Sequence, residues 1–131
     1  MSAENVEVVR RMYAAFQRGD AEASLAHFDP EVGIDMSRRG VGGVGRGRDD
    51  LSRIIGEWVA SWDDWREEIE EIRDLGSQIC VVAVQRGRGK GSGVEVENRY
   101  GVLYEFTGNK ISQLTGYGSP QDALEAAGAS E

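Results

Sequence analysis

The order of elements written into the first third of the chain constrains its fold more than any other feature. Val6, Val9, Tyr13 and Phe16 recur at helical spacing and form one apolar stripe, with Glu7, Arg10, Arg11 and Gln17 largely off it. Gly19 suits the left-handed conformation that ends a helix, and the Asp20 side chain suits the free N–H groups that open the next one. That second helix is expected from Ala21 to about His27, because Asp29-Pro30 turns the chain out of helical geometry. Val32, Ile34 and Met36 then alternate with Glu31, Gly33 and Asp35, the pattern of a strand. Helix, tight corner, short helix and strand follow in immediate succession.

Past a glycine-rich loop, Leu51, Ile54, Ile55, Trp58, Val59 and Trp62 fall on one helix face. A stripe of that length must lie on something large and apolar, and a sheet is the expected partner. Trp65, Ile69 and Ile72 also fit a helical stripe, yet the segment from Arg66 to Leu75 is read as a strand because clear strands follow it. Ile79 to Gln85, Val94 to Phe106 and Ile111 to Tyr117 are β-rich. Turns at Arg86 to Gly93 and at Thr107-Gly108-Asn109 separate them into an antiparallel meander. Ser119 or Pro120 starts a short helix through Ala127, with a disordered end expected beyond it. On the long strand Val94, Val96, Asn98, Tyr100, Val102, Tyr104 and Phe106 share the face expected to meet the helices. A concave space lined by aromatics with a few polar groups suits a small ligand.

With 131 residues the chain is read as one domain spanning 1–131. A single Cys80 and a single His27 leave no basis for a disulfide framework or a conventional zinc site, so no metal and no cofactor is implied. A net charge of −8 argues against nucleic-acid and anionic-membrane partners. The N-terminus shows no basic region leading into an apolar core, and no apolar run is long enough to span a bilayer. A soluble cytoplasmic protein is the expectation.

The charge is unevenly spread. Arg38, Arg39, Arg46, Arg48 and Arg53 crowd one segment, Arg86, Arg88 and Lys90 another, and Glu67, Glu68, Glu70 and Glu71 form an acidic block. Each cluster reads as a solvated face. Gly40-Val41-Gly42-Gly43-Val44-Gly45 satisfies G-x-G-x-x-G, but no strand stands immediately before it and a meander follows. It reads instead as a flexible loop at a pocket mouth, where Arg39, Arg46 and Arg48 could meet an anionic ligand. Arg86-Gly87-Arg88-Gly89-Lys90-Gly91 is similar to RGG-type runs but reads as a hairpin loop, and Cys80 between Ile79 and Val81 reads as core.

Tyr13-Ala14-Ala15-Phe16-x-x-Gly19-Asp20, Phe28-Asp29-Pro30-Glu31-Val32, Gly108-Asn109-Lys110-Ile111 and the ending from Gly116-Tyr117 to Ala127 resemble the NTF2-like superfamily. The match is to its SnoaL-like, ketosteroid isomerase-related branch, and it covers nearly the whole chain. It implies a cone-shaped α+β fold in which N-terminal helices pack on a curved, mostly antiparallel sheet around an apolar pocket. It also implies a homodimer through the outer sheet face. Isomerases of the superfamily use a Tyr on the first helix, an Asp base at the end of the first strand and a protonated Asp on a meander strand. Counting from Gly19-Asp20 puts that Tyr position on Met12, and counting from Tyr104-Glu105-Phe106 puts the second Asp on Val102. The base position finds Asp35, given one deletion after Phe28.

The cyclases of the branch rely on a His and an Asp in the pocket, whereas His27 ends a helix and reads as a surface residue. Limonene epoxide hydrolases alternate Arg and Asp on one strand face; Arg99 has Glu97 and Gly101 as its neighbours, and Glu97–Arg99 reads as an exposed or dimer-face ion pair. Asp35 is therefore the catalytic candidate. Strand alternation faces it to solvent, while the resemblance places it in the pocket, where burial would raise its pKa.

Tyr13, Phe16, Trp58, Trp62, Tyr100, Tyr104 and Tyr117 are the candidate ligand-contacting aromatics, and Asn98 with Tyr100 the candidate partners for a ligand oxygen. The expected function is binding of a small apolar or aromatic molecule in a conical pocket. The alternatives are an enzyme of isomerase, polyketide cyclase or epoxide hydrolase type with Asp35 as general base, and a non-catalytic dimerising subunit.

Overall fold

The opening unit folds as its residues dictate. In a computed structural model describing residues 2–40 and 43–128, helix α1 spans Ser2–Gln17 and helix α2 spans Ala21–Leu25. Gly19 takes φ +83°, and Asp20 Oδ1 accepts the Ala23 N–H at 3.1 Å. The second helix ends at Leu25, short of His27, and strand β1 (Phe28–Asp35) begins earlier than the alternation suggests.

The remaining strands are β2 (Val44–Arg46), β3 (Trp62–Asp74), β4 (Gln78–Gly89), β5 (Glu95–Thr107) and β6 (Lys110–Tyr117). Among the described residues they form one sheet in the order β2-β1-β6-β5-β4-β3. Neighbours run antiparallel except β1 and β6, which are parallel. Strand β2 lies inside the glycine-rich stretch and pairs with β1; at three residues it is too short to show a period. Val41 and Gly42 of that stretch lie outside the described residues, as does the expected disordered end at 129–131.

Helix α3 (Arg48–Ala60) carries the long apolar stripe but stops before Trp62. Ser61 ends it, and Trp62 opens β3 with its ring edge-on to Trp58 at 5.3 Å. The expected turn at Arg86 to Gly93 is likewise shorter, because β4 runs on to Gly89 with Arg86 opposite Glu97 and Arg88 opposite Glu95. Helix α4 (Pro120–Ala126) starts where Ser119 Oγ accepts the Asp122 N–H at 3.1 Å.

Strand β3 is bulged twice against β4, between Asp63 and Arg66 and between Ile69 and Glu71. Each bulge adds one residue to β3 and resets which side chains face inward. Asp64, at φ +54°, sits in the first. Glu67 consequently stands opposite Gln85, Ile69 opposite Ala83, and Ile72 opposite Val81. The second bulge explains why Trp65, Ile69 and Ile72 imitate helical spacing while lying on a strand.

The inner sheet face, with Ile79, Val81 and Ala83 of β4 and Tyr100, Val102 and Tyr104 of β5, packs against Val9, Met12 and Tyr13 of α1 and Leu51 and Ile54 of α3. On the opposite face α4 buries Ala123 and Leu124 against Cys80 and Leu103. Gly101 permits this close seating, since a Cβ there would lie 2.7 Å from that of Ala123. The Cys80 thiol is fully enclosed, and burial pushes its pKa up. Beyond α4 the outer face carries cross-strand ion pairs. No helix among the described residues is long and apolar enough to cross a membrane.

Candidate functional site

A cavity of about 890 Å³ lies between the helices and the inner face of the sheet. Tyr100, Val102, Tyr104 and Leu114 form its floor, and Met12, Phe16, Leu51, Ile55 and Trp58 form apolar walls. Gln17, Gly19, Ala21, Ser52 and Gly56 line it too and are exposed, so the mouth lies between the α1–α2 corner and α3. Its polar lining includes a tyrosine pair, an arginine and a glutamate.

The first is a tyrosine pair. The hydroxyls of Tyr13 and Tyr104 meet at 2.5 Å, with the rings edge to face at 6.1 Å. Burial pushes both pKa values up, so both phenols are neutral. One hydroxyl donates to the other, and among the described residues the second O–H has no further partner.

The second is Arg39, delivered by a 3-10 turn at Ser37–Arg39 directly after β1. Asp35 Oδ1 accepts the backbone N–H of Ser37 at 3.0 Å and its hydroxyl at 2.5 Å, and Arg38 Nη1 donates to Asp35 Oδ2 at 3.0 Å. Those bonds set the turn. Gly116 on β6 makes room for it, since a Cβ there would lie 2.7 Å from the Met36 sulfur and 3.7 Å from Arg39 Cβ. The Arg39 guanidinium carbon lies 3.5 Å from the Tyr100 ring centroid and 5.4 Å from that of Trp58. Its Nη2 donates to Gln85 Oε1 at 2.9 Å, and the same oxygen accepts Trp58 Nε1–H at 2.8 Å. Both partners are donors only, so the oxygen of the fully buried Gln85 must face them. Desolvation lowers the pKa of Arg39 to about 10, which leaves it cationic at neutral pH.

The third is Glu67. Its backbone carbonyl accepts Gln17 Nε2–H at 3.2 Å, tying the end of α1 to β3. Its side chain lines the cavity and, among the described residues, makes no hydrogen bond and no ion pair. Desolvation raises its pKa to about 7 against the opposing pull of Arg39. A phenol pair, a planar cation on an aromatic face and a carboxyl titrating near neutrality can together orient an oxygen-bearing ring and exchange a proton with it. Among the described residues no three His, Cys, Asp or Glu side chains are grouped to hold a metal.

Of the residues singled out from sequence, Tyr13, Phe16, Trp58, Tyr100 and Tyr104 line the cavity, whereas Trp62, Asn98 and Tyr117 do not. Trp62 packs on Trp58 with its indole N–H buried and unpaired. Asn98 stands opposite Gln85 in the β4–β5 register but outside the lining. Tyr117 packs on the α4 side, with Arg38 5.9 Å from its ring. Asp35 is also outside the lining, and its hydrogen bonds with Ser37 lower its pKa, opposite to the shift expected of an enclosed base.

Residue counting assigned the isomerase hydroxyl position to Met12; in the fold both Met12 and Tyr13 line the cavity, which is wide enough to take two successive positions of α1. Arg46 and Arg48 donate to the backbone carbonyls of Glu31 and Phe28 and serve the local fold. Glu97 and Arg99 bond elsewhere, to Arg86 and Glu70. Partial burial and nearby Lys110 lower the pKa of His27, whose carbonyl accepts the Ile111 N–H at 3.0 Å.

Glu67 and Gln85 were not among the site candidates, and Arg39 was grouped with a solvated cluster and, together with Arg46 and Arg48, named only as a residue of the mouth loop that could meet an anionic ligand. Glu67 had a readable signal, since strand alternation sets it with Trp65 and Ile69; the helix-like spacing around it hid that. Gln85 continues the alternation Ile79, Val81, Ala83. Arg39 arrives on a turn, where no period exists.

Residues 9–114 match the SnoaL-like domain family, and the chain belongs to it. An uncharacterized protein of Mycobacterium tuberculosis is 28% identical over 123 residues, covering 93% of this chain and 94% of that one. An NTF2-like protein from Burkholderia thailandensis matches with a TM-score of 0.80 at 21% identity, covering 94% and 96% of the two chains. TerC, crystallised with polyporic acid, matches with a TM-score of 0.75 at 17% identity over 93% and 96%. The fold is the NTF2-like α+β cone.

Proposed function

We propose that the protein binds a small apolar or aromatic molecule bearing a hydrogen-bonding oxygen. The observation that carries this reading is the cavity of about 890 Å³, within the size range of small-ligand sites of roughly 300–1,000 Å³ and walled by apolar side chains around a few polar groups. Crystallisation of TerC, of the same fold, with polyporic acid supports it. The test is calorimetric titration with neutral bicyclic aromatics, 2-naphthamide and 2-tetralone among them. Wild type is expected to bind saturably, and Ser52→Trp, which blocks the mouth, to weaken binding by at least about tenfold. No binding of any aromatic probe to wild type, neutral or carboxylate, or no effect of the block, refutes the reading.

A second reading, enzymatic, rests on the unpartnered Glu67 carboxyl. A carboxyl titrating near pH 7 can take up and return a proton under working conditions, so Glu67 rather than Asp35 is the base we propose. Wild type should accelerate deuterium exchange at the carbon beside the carbonyl of 2-tetralone, followed by NMR. Glu67→Gln should lose about a hundredfold or more of that acceleration. Equal rates remove the enzymatic reading.

A further inference from the structure

We infer that the molecule held in the cavity is an organic anion, an apolar or aromatic compound whose carboxylate or similarly planar oxyanion is gripped by Arg39. The inference rests on the cavity being a small-molecule site and adds the charge and chemical class of what enters it.

Arg39 differs from the arginines around it. Arg38, Arg53, Arg86, Arg88 and Arg99 each meet a carboxylate, and Arg46 and Arg48 are bonded to backbone carbonyls. Among the described residues Arg39 meets no carboxylate within ion-pair distance, and the one hydrogen bond of its guanidinium goes to a neutral amide oxygen. Its Nε is buried without an acceptor, and so is Nε2 of Gln85, the side chain that anchors it. Among the described residues its Nη1 has no hydrogen-bond partner either. Buried donors left in this state are rare, and the groups left to meet an incoming oxyanion are Nη1 and the second N–H of Nη2.

The guanidinium is also held ready. Tyr100 supports its face, and Gln85 with Trp58 fixes one edge, so the plane cannot swing away. A planar fork with a free edge matches a planar oxyanion, and little side-chain freedom remains to be lost on binding. Glu67 offsets it only in part: the carboxyl is not within ion-pair distance of Arg39, and with its pKa raised by burial to about 7 it is only partly ionised at neutral pH. Arg66 is exposed at the rim and leaves Arg39 as the cation set within the walls. Phe16, Trp58 and Tyr100 around it favour an aromatic body, and their low polarity strengthens attraction to an anion.

Calorimetric titration at neutral pH with 2-naphthoate and its neutral isostere 2-naphthamide tests this directly. Wild type is expected to bind the naphthoate at least about tenfold more tightly, the range of a charged hydrogen bond. Arg39→Gln should bring the ratio to within about threefold of unity, and Arg39→Lys, which keeps the charge but not the fork, should fall between. Equal affinities in wild type, or a preference that survives Arg39→Gln, overturns the inference, and the wild-type comparison stands even where a variant does not fold. If neither these probes nor 2-tetralone bind, the cavity reading itself fails; if the neutral aromatics bind and the naphthoate gains nothing, this inference alone fails.

Discussion

The two faces of the β3–β4–β5 sheet carry the same kinds of charged residue and treat them in opposite ways. Outside, Arg86 meets Glu68 at 3.0 Å and Glu97 at 2.7 Å, Arg99 meets Glu70 at 2.7 Å, and Arg88 pairs with Asp64, all in contact with water. Inside, Arg39 and Glu67 are desolvated yet not paired with each other. Immediate neighbours in the chain are divided between the two regimes: Glu67 inward and Glu68 outward, Arg39 over Tyr100 and Arg38 toward Tyr117. Exposed pairs stabilise a fold only slightly, because water already screens their charges. Enclosed charges are costly, and a fold that keeps them apart retains their chemistry for a ligand.

The contrast is broken most severely at the aromatic platform. Tyr100→Ala should cost about 3–5 kcal/mol in chemical denaturation, as other buried aromatic truncations do, and a loss no larger than that of an outer-face substitution would deny the inner face its structural weight. Glu67 comes next. Its folded pKa of about 7 lies above the ordinary 4.5, so the stability it contributes is complete below about pH 4.5 and is lost as pH rises through about 7. Relative to Glu67→Gln, wild type should lose on the order of 3 kcal/mol across that window. A pH-independent difference would show that Glu67 is solvated like Glu68.

Tyr13→Phe sharpens the comparison at smaller scale. It leaves the Tyr104 hydroxyl without its partner and should cost about 1–3 kcal/mol. Smallest of all, Arg99→Gln should change stability by less than about 1 kcal/mol, and raising the salt to about 1 M should erase the difference. A larger, salt-resistant effect would place the outer pairs in the same class as the inner charges.

The fold was legible because its signals are local. The Gly19-Asp20 corner, the α3 stripe and the β5 alternation each lie within a few turns or residues, and each element formed near its expected place. The aromatic part of the cavity was legible for the same reason, since Tyr100 and Tyr104 share a strand face. What failed was anything needing the phase of one element against another. Trp62 looked like the last residue of a helix stripe, and Ile69 with Ile72 looked helical, because neither Ser61's chain reversal nor the β3 bulge has a sequence period. Asp35 was sought as a base, whereas it caps the turn that carries Arg39 into the cavity.

By itself the sequence determined the order of helices and strands, the family and the apolar character of the space they enclose, because periodicity and turn chemistry act between residues close along the chain. Tertiary structure alone decided which of its many charges are enclosed. Burial of Arg39 and Glu67 depends on a bulge, a glycine opposite a turn and a buried glutamine brought from 46 residues away, and desolvation is set by what surrounds a group in space.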